Sequence, residues 1–329
     1  MAKSLFTHFG ALALAMDTGN NAPGVVCLAN EARFNAVNLS VPLNTYATGW
    51  TSGEDLEALL EFLAPEVPVA RRFSFLKAIN AEAFMGEADN SDIRAIGAEF
   101  KRVTYGGESA EGKTFNKGLT VRLDVDDESG DPMQEERATA ALMKRLLRME
   151  IRRAVALLDA GSVNQASTWG AAQPVDADME IVSDLILGAD NGGVRSNRVS
   201  YGDTVWSKRM LTLRAGDSAG AVANAGFTPE QLASFLAVDQ VKICKERAQT
   251  TKTAKANLLG ANAVYMFNAQ SGAGKDDPSN IKRFVTLMGG PKFRVYRQEV
   301  TSKLIDISVE HYSNIICTST LGMRKRTVS

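Results

Sequence analysis

From Pro132 to Ala160 the sequence carries one unbroken helical pattern, and a rod of that length limits how the rest of the chain can be arranged. Asp131 is a good N-cap, Pro132 suits the first helical position, and Gln134 completes a box-like start. Glu135 and Glu136 favour the positive end of the helix dipole, and Gly161 ends the pattern. At 1.5 Å per residue such a helix runs roughly 40 Å. Met143, Leu147, Ile151, Ala154 and Leu158 form an apolar stripe that Leu142, Leu146 and Met149 widen. Lys144, Arg148 and Arg152 recur every four residues on another face, Arg145 and Arg153 add to the charge, and Glu150 is the one internal acid. Like charges at this spacing repel by roughly 0.2–0.5 kcal/mol per pair. The face therefore calls for an external anion, either the carboxylates of a neighbour or phosphates. The plain alternative is a solvated basic face.

The segments before this helix show little core of their own. Residues 1–50 have weak periodicity and are rich in Asn, Thr, Gly and Ala, which reads as an extended or irregular arm that needs a partner surface to order it. Met1–Met16 mimics a signal peptide, but Thr7 and His8 interrupt its apolar run and Lys3 is its only positive residue, so an uncleaved arm is expected. A short helix follows. Ser52 and Asp55 give its capping signal, Leu56, Leu59, Leu60 and Leu63 share one face, and Pro65 ends it. Pro65–Val69 is extended, because each proline restricts its neighbour. Residues 71–130 are polar. Arg71–Leu76 and Glu99–Tyr105 read as strands, and Gly106, Gly107 and Gly112 as a turn. Leu119, Val121, Leu123 and Val125 alternate with polar residues, the mark of a strand with one buried face. A hairpin-like excursion of this kind is seldom stable alone, and its natural stabiliser is another molecule or a neighbouring domain.

After Gly161 the pattern becomes mixed α/β. Asp178–Leu187 reads as a helix stopped by Gly188, Asn197–Tyr201 as a strand and Asp203–Leu213 as a helix. Thr228, Pro229 and Gln231 form a full helix start, with Leu232, Phe235 and Leu236 as its apolar face. Val238–Cys244 and Ala263–Asn268 are strands in a compact second domain. Phe293–Val300, Leu304–Val309 and Asn314–Thr320 read as three consecutive antiparallel strands.

Charge and composition narrow the function. Net charge is −1, so the chain as a whole is not a polycation made to coat nucleic acid. Residues 1–70 are acidic, with Lys3 and Arg33 their only basic side chains, and the remainder carries a basic excess. Cys27, Cys244 and Cys317 lie far apart and are odd in number, which argues against a disulfide framework. Two histidines, His8 and His311, nearly exclude a His-rich metal site, and His311 reads as structural at a strand end. No segment reaches the roughly 20 apolar residues that span a bilayer. Ser271–Lys275 has the look of a phosphate loop, but Ala269 and Asp276 stand where the pattern needs Gly and Ser or Thr, so a flexible loop is expected. The acids from Asp124 to Asp131 lack calcium-loop spacing and read as a solvated turn. Trp50, Trp169 and Trp206 are isolated, as core or interface anchors are. No catalytic motif recommends itself.

The order of the parts resembles a known family. Leu63–Val69 followed by Arg72–Phe75 is similar to the entry of the extended loop in tailed-phage major capsid proteins. Phe84 stands where that family often has an aromatic, and Ile96–Gly106 resembles its stretch before a Gly-rich turn, with Ile96 in place of proline. The long helix looks like the family's spine helix. Ser196–Met210 resembles the strand and helix that open its apical domain, Phe227–Ile243 the next helix and strand, and Lys292–Thr320 the closing strands. The resemblance runs from about Glu54 to Thr320 and implies the Hong Kong phage-type α+β capsid fold. Its expected parts are an N-terminal arm (1–53), a short helix and linker (54–70), an extended β-hairpin loop (71–130), a spine helix of the peripheral domain (131–162), a mixed α/β apical domain (163–290), and closing strands with a tail (291–329).

The implied function is structural, with no catalysis and no cofactor: pentamers and hexamers of an icosahedral virion shell around double-stranded DNA, assembled in the host cytoplasm. Expected partners are copies of the chain, packaged DNA, and portal, scaffolding or decoration proteins, with no membrane. Lys144, Arg148, Arg152, Phe84, Arg94, Phe100 and Tyr105 are the expected subunit or DNA contacts. An encapsulin-like compartment shares the fold and is the nearest alternative. A soluble α/β enzyme with residues 71–130 as a lid is the rival of a different class.

Overall fold

The long helix forms as α3, Gln134–Gly161, and its apolar stripe lies against a five-stranded sheet. The computed structural model describes residues 38–52, 55–78, 93–94, 96–99, 107–124, 126, 133–172, 175–216, 219–249, 251, 253–287 and 290–329. Asp131 and Pro132 lie outside them. Within them Met133 is the N-cap, without a side-chain cap bond, and Gln134 is the first helical residue, so it does not close a box. Met149 does not widen the stripe, since it is 37% exposed.

The first sheet is built on β13, Leu304–Cys317. Beside it run β12 (Arg294–Glu299) and β11 (Ile281–Val285), with β1 (Glu66–Pro68) parallel to β11, while β4 (Phe115–Asp124) covers the other edge of β13. The sequence pattern splits β13 in two because Glu310, His311, Tyr312 and Ser313 look like a polar break. They are instead interior to one 14-residue strand, where Glu310 accepts from Asn116 and Tyr296 and Ser313 Oγ donates to Glu150. His311 is therefore mid-strand. The helices α1 (Val41–Gly49) and α2 (Leu56–Leu63) complete this core with α3. Helix α1 corrects the reading of residues 1–50 as wholly irregular. Ser40 caps it, and the Asn44 side chain bonds Val295 through both its amide and its carbonyl. In α2 the cap is Asp55, in a left-handed conformation with no side-chain bond.

Residues 71–130 do not form one excursion. β2 (Arg72–Ala78) pairs with β3 (Gly107–Lys113), and β4 then returns into the main sheet. Gly107 and Gly112 are thus strand residues and not a turn; Gly112 leaves room for the Phe73 ring. Glu99 is not in a strand, and residues 100–106 lie outside the described set.

A second sheet has the order β5 (Val163–Ser167), β14 (Arg324–Val328), β10 (Ala263–Phe267), β6 (Arg198–Gly202), β7 (Gln240–Cys244). It packs with α4 (Ala177–Gly192), α5 (Asp203–Ala215), α6 (Ala219–Asn224) and α7 (Pro229–Leu236). The capping box at Thr228 and Gln231 is formed, but Phe235 is 42% exposed and meets Phe227 at the surface. Helix α4 runs through Gly188 to Gly192. A Cβ on Gly192 would run into the Gly322 backbone, so this glycine is there for close packing of helix on chain. Gly192→Ala is expected to lower stability by about 1–3 kcal/mol, as overpacking against unyielding backbone does; urea unfolding measures it.

Strand β14 is the element the sequence hides best. Arg324, Lys325 and Arg326 look like a solvated tail, yet Arg326 pairs with Asp184 and Glu180 on α4, and the strand sits between two neighbours.

Candidate functional site

Helix α3 has two faces with different chemistry. On the inner face Met143, Leu147, Ile151, Ala154 and Leu158 are buried, and Glu150 sits among them, 1% exposed. Burying a lone carboxylate is costly, so its partners decide whether it is tolerated. Lys117 Nζ on β4 donates to Glu150 Oε1 at 2.9 Å, and Ser313 Oγ on β13 donates to Oε2 at 2.9 Å. Arg153, one turn on, pairs with the same carboxylate, and His311 Nε2 lies 3.8 Å from it. Burial raises the Glu150 carboxyl, but the neighbouring His311 imidazole and Lys117 ammonium outweigh that and hold it well below the usual carboxylate range. Burial also lowers Lys117 and His311, with Glu150 offsetting part of it, so His311 is neutral at pH 7. This cluster pins helix to sheet through β4 and β13 at once.

The outer face carries the expected contact cations. Lys144 and Arg148 are half-buried; Arg145 and Arg152 are exposed. Arg148 Nη2 lies 3.8 Å from Glu246 Oε2, so part of the sought anion comes from within the chain. Glu246 precedes the small strand pair β8 (Arg247–Gln249) and β9 (Lys255–Asn257), whose surroundings bring the exposed Lys245 and Lys255. Arg152 lines a cleft of about 620 Å³ with Asp159, Asn257, Tyr265 and Lys325. There Lys325 Nζ and the Tyr265 hydroxyl both bond Asp159, which lowers its carboxyl. Among the described lining residues two cations, Arg152 and Lys325, stand against the single acid Asp159, which leaves the cleft net positive.

The structure places Lys144, Arg148 and Arg152 along one line of α3. Arg94 is exposed on a separate stretch, and Phe84, Phe100 and Tyr105 lie outside the described residues. Sequence reasoning missed the Glu150 cluster and the Asp159, Tyr265, Lys325 group. The available signal was Glu150, an acid set among the basic residues in the middle of the helix. Among the described residues no group of three or more His, Cys, Asp or Glu side chains is placed to hold a metal ion. No described helix is long and apolar enough to cross a membrane.

The sequence matches no family model and no curated protein. The fold does have solved counterparts. It is similar to a phage-related protein of Bordetella bronchiseptica, with a TM-score of 0.64 at 16% identity over 88% of this chain and 96% of the other. It is also similar to a virus-like particle from Pyrococcus furiosus, with a TM-score of 0.51 at 10% identity over 87% of this chain and 97% of the other.

Proposed function

We propose that this chain is the major capsid protein of a tailed phage, the repeating subunit of an icosahedral shell around double-stranded DNA. The observation that carries the reading is the fold it shares, along almost the whole of both chains, with a phage-related protein. In this reading the β2–β3 hairpin is the extended loop, the first sheet with α3 is the peripheral domain, and the second sheet with its helices is the apical domain. Pentamers and hexamers form through heterologous contacts, in which one patch of a copy meets a different patch of the next. Portal and scaffolding or decoration proteins complete the virion.

The outer face of α3 supplies cations to neighbouring carboxylates or to packaged phosphates. Each phosphate contact contributes about 0.9 to the slope of log affinity against log salt on duplex DNA. Replacing Lys144, Arg148 and Arg152 with Gln is therefore expected to lower the yield of filled particles and to flatten their salt dependence, with the subunit still folded by circular dichroism. Unchanged yields of filled particles refute the role of this face. For the shell itself, the expressed chain is expected to give rings, shells or tubes by size-exclusion chromatography and electron microscopy. A stable monomer with a turnover activity overturns the reading, and particles holding protein cargo in place of nuclease-protected DNA replace it with an encapsulin-like compartment.

A further inference from the structure

The Ser271–Lys275 motif, which fails as a phosphate loop, belongs to a loop bonded to Lys282 and Arg198 that lies against the β2–β3 hairpin. We infer that the loop 271–278 is a catch that sets the angle at which this hairpin leaves the body of the subunit.

The hairpin is attached at two levels. Its root is fixed at Thr114, whose backbone N–H donates to Arg71 O at 3.0 Å and whose hydroxyl lies 2.9 Å from that of Thr286. The second level lies further out along β2. Backbone N–H groups of an edge strand alternate in direction, so those of Leu76 and Ala78 both point away from β3. Leu76 N donates to Asp276 Oδ1 at 3.0 Å, and Ala78 N donates to Thr318 O at 3.1 Å. Arg71 and Leu76 are about 17 Å apart at the rise of a strand, which gives the second level leverage over the angle.

The loop that carries Asp276 is itself anchored. Lys282 on β11 has a side chain that is 0% exposed, and its ammonium donates to Lys275 O at 3.1 Å and to Asp277 O at 2.7 Å. Asp277 in turn accepts from Ser279 N, Ser279 Oγ accepts from Gln270 N, and Arg198 holds Ser271. Ala273 is buried with Val67, Phe75 and Phe284. A fully buried lysine whose donors are spent on loop carbonyls holds the loop in one shape.

Between the two levels the contact is aromatic. Phe73 and Phe75 lie 4.4 and 5.5 Å from Phe284, ring to ring. Apolar contact of this sort is non-directional and tolerates sliding. The bonds at Leu76 and Ala78 are directional and do not. Asp276 is exposed, so its bond is the one element of the attachment that can open without disturbing a core. The hairpin then has a caught and a released setting, and the choice rests on a carboxylate some 200 residues away in sequence.

Hydrogen exchange on the full-length soluble subunit tests this. In Asp276→Ala the segment 72–78 is expected to exchange about tenfold faster, as a locally opened edge does, while 304–317 stays at the wild-type rate. Lys282→Met is expected to speed both 72–78 and 271–278; if that variant does not fold, Asp276→Ala decides alone. Wild-type exchange of 72–78 in Asp276→Ala overturns the catch. A consequence for assembly rests on the shell reading: Asp276→Ala particles are expected to show a broadened size distribution in micrographs, and a single wild-type size refutes that consequence. If the wild-type chain forms no particles, the shell reading fails while the exchange result still judges the catch.

Discussion

Glu150→Ala is expected to destabilise the subunit by about 3–5 kcal/mol, the range found when one partner of a buried ion pair is removed. The mutation leaves Lys117, only 11% exposed in its side chain, without its counter-charge, and strips Ser313 Oγ of its acceptor. Urea unfolding at pH 7 measures the loss, and a change below about 1 kcal/mol, as for an exposed pair, contradicts the account. The same cluster gives the subunit an acid limit. The folded state holds the Glu150 carboxyl below its unfolded value, so its contribution is complete above about pH 4.3 and is lost as pH falls through the folded value. His311 is also depressed in the folded state, by burial. The unfolded imidazole therefore takes up a proton first, and stability begins to decline as pH falls below about 6.5. In His311→Asn the onset of acid loss is expected to move down toward the carboxylate range, read from urea midpoints between pH 7 and 4.

The second large effect is expected at Asp178 and Arg209. Both side chains are 0% exposed and joined by two bonds, Nε to Oδ1 at 2.6 Å and Nη2 to Oδ2 at 2.7 Å. Nη2 also donates to Asn224 O, and the guanidinium lies 4.9 Å from the centre of the Trp206 ring. Asp178→Ala leaves a buried guanidinium unpaired, at about 3–5 kcal/mol. The double variant Asp178→Leu, Arg209→Met is expected to recover most of the loss, because well-packed apolar residues often replace a buried pair at little net expense. A double-mutant cycle reads the coupling; additive single effects refute it.

These two pairs also mark the limit of what residue patterns convey. The apolar stripe of α3 was legible because it repeats at helical spacing, and its residues are buried as that spacing requires. The cap at Thr228 was legible because its chemistry is local. Glu150 and Asp178 were not, since a buried acid and a solvated one look alike until the partner from another element is known. Asp178 in particular passes for an acid that favours a helix start. The continuity of β13 was hidden for the same reason, because Glu310 and Ser313 are satisfied by side chains on β4, β12 and α3. Gly112 of β3 passed for a turn residue because the Phe73 ring that fills its space comes from a different strand. At the candidate site the line of Lys144, Arg148 and Arg152 was plain from spacing alone, but the Glu246 carboxylate that meets Arg148 was not.

The position of β14 in the second sheet has a consequence for how the molecule is made. Its neighbours β5 and β10 come from residues 163–167 and 263–267, and neither pairs with the other. A ribosome delivers them first. Until residue 328 has been added, β5 has no ladder among the described residues and β10 lacks one of its two. At 5–20 residues per second the stretch from β10 to β14 takes roughly 3–12 seconds to synthesise. Over that interval the nascent chain is held short of its finished surface, and polysome-bound copies crowded on one message do not yet present the completed second sheet to each other.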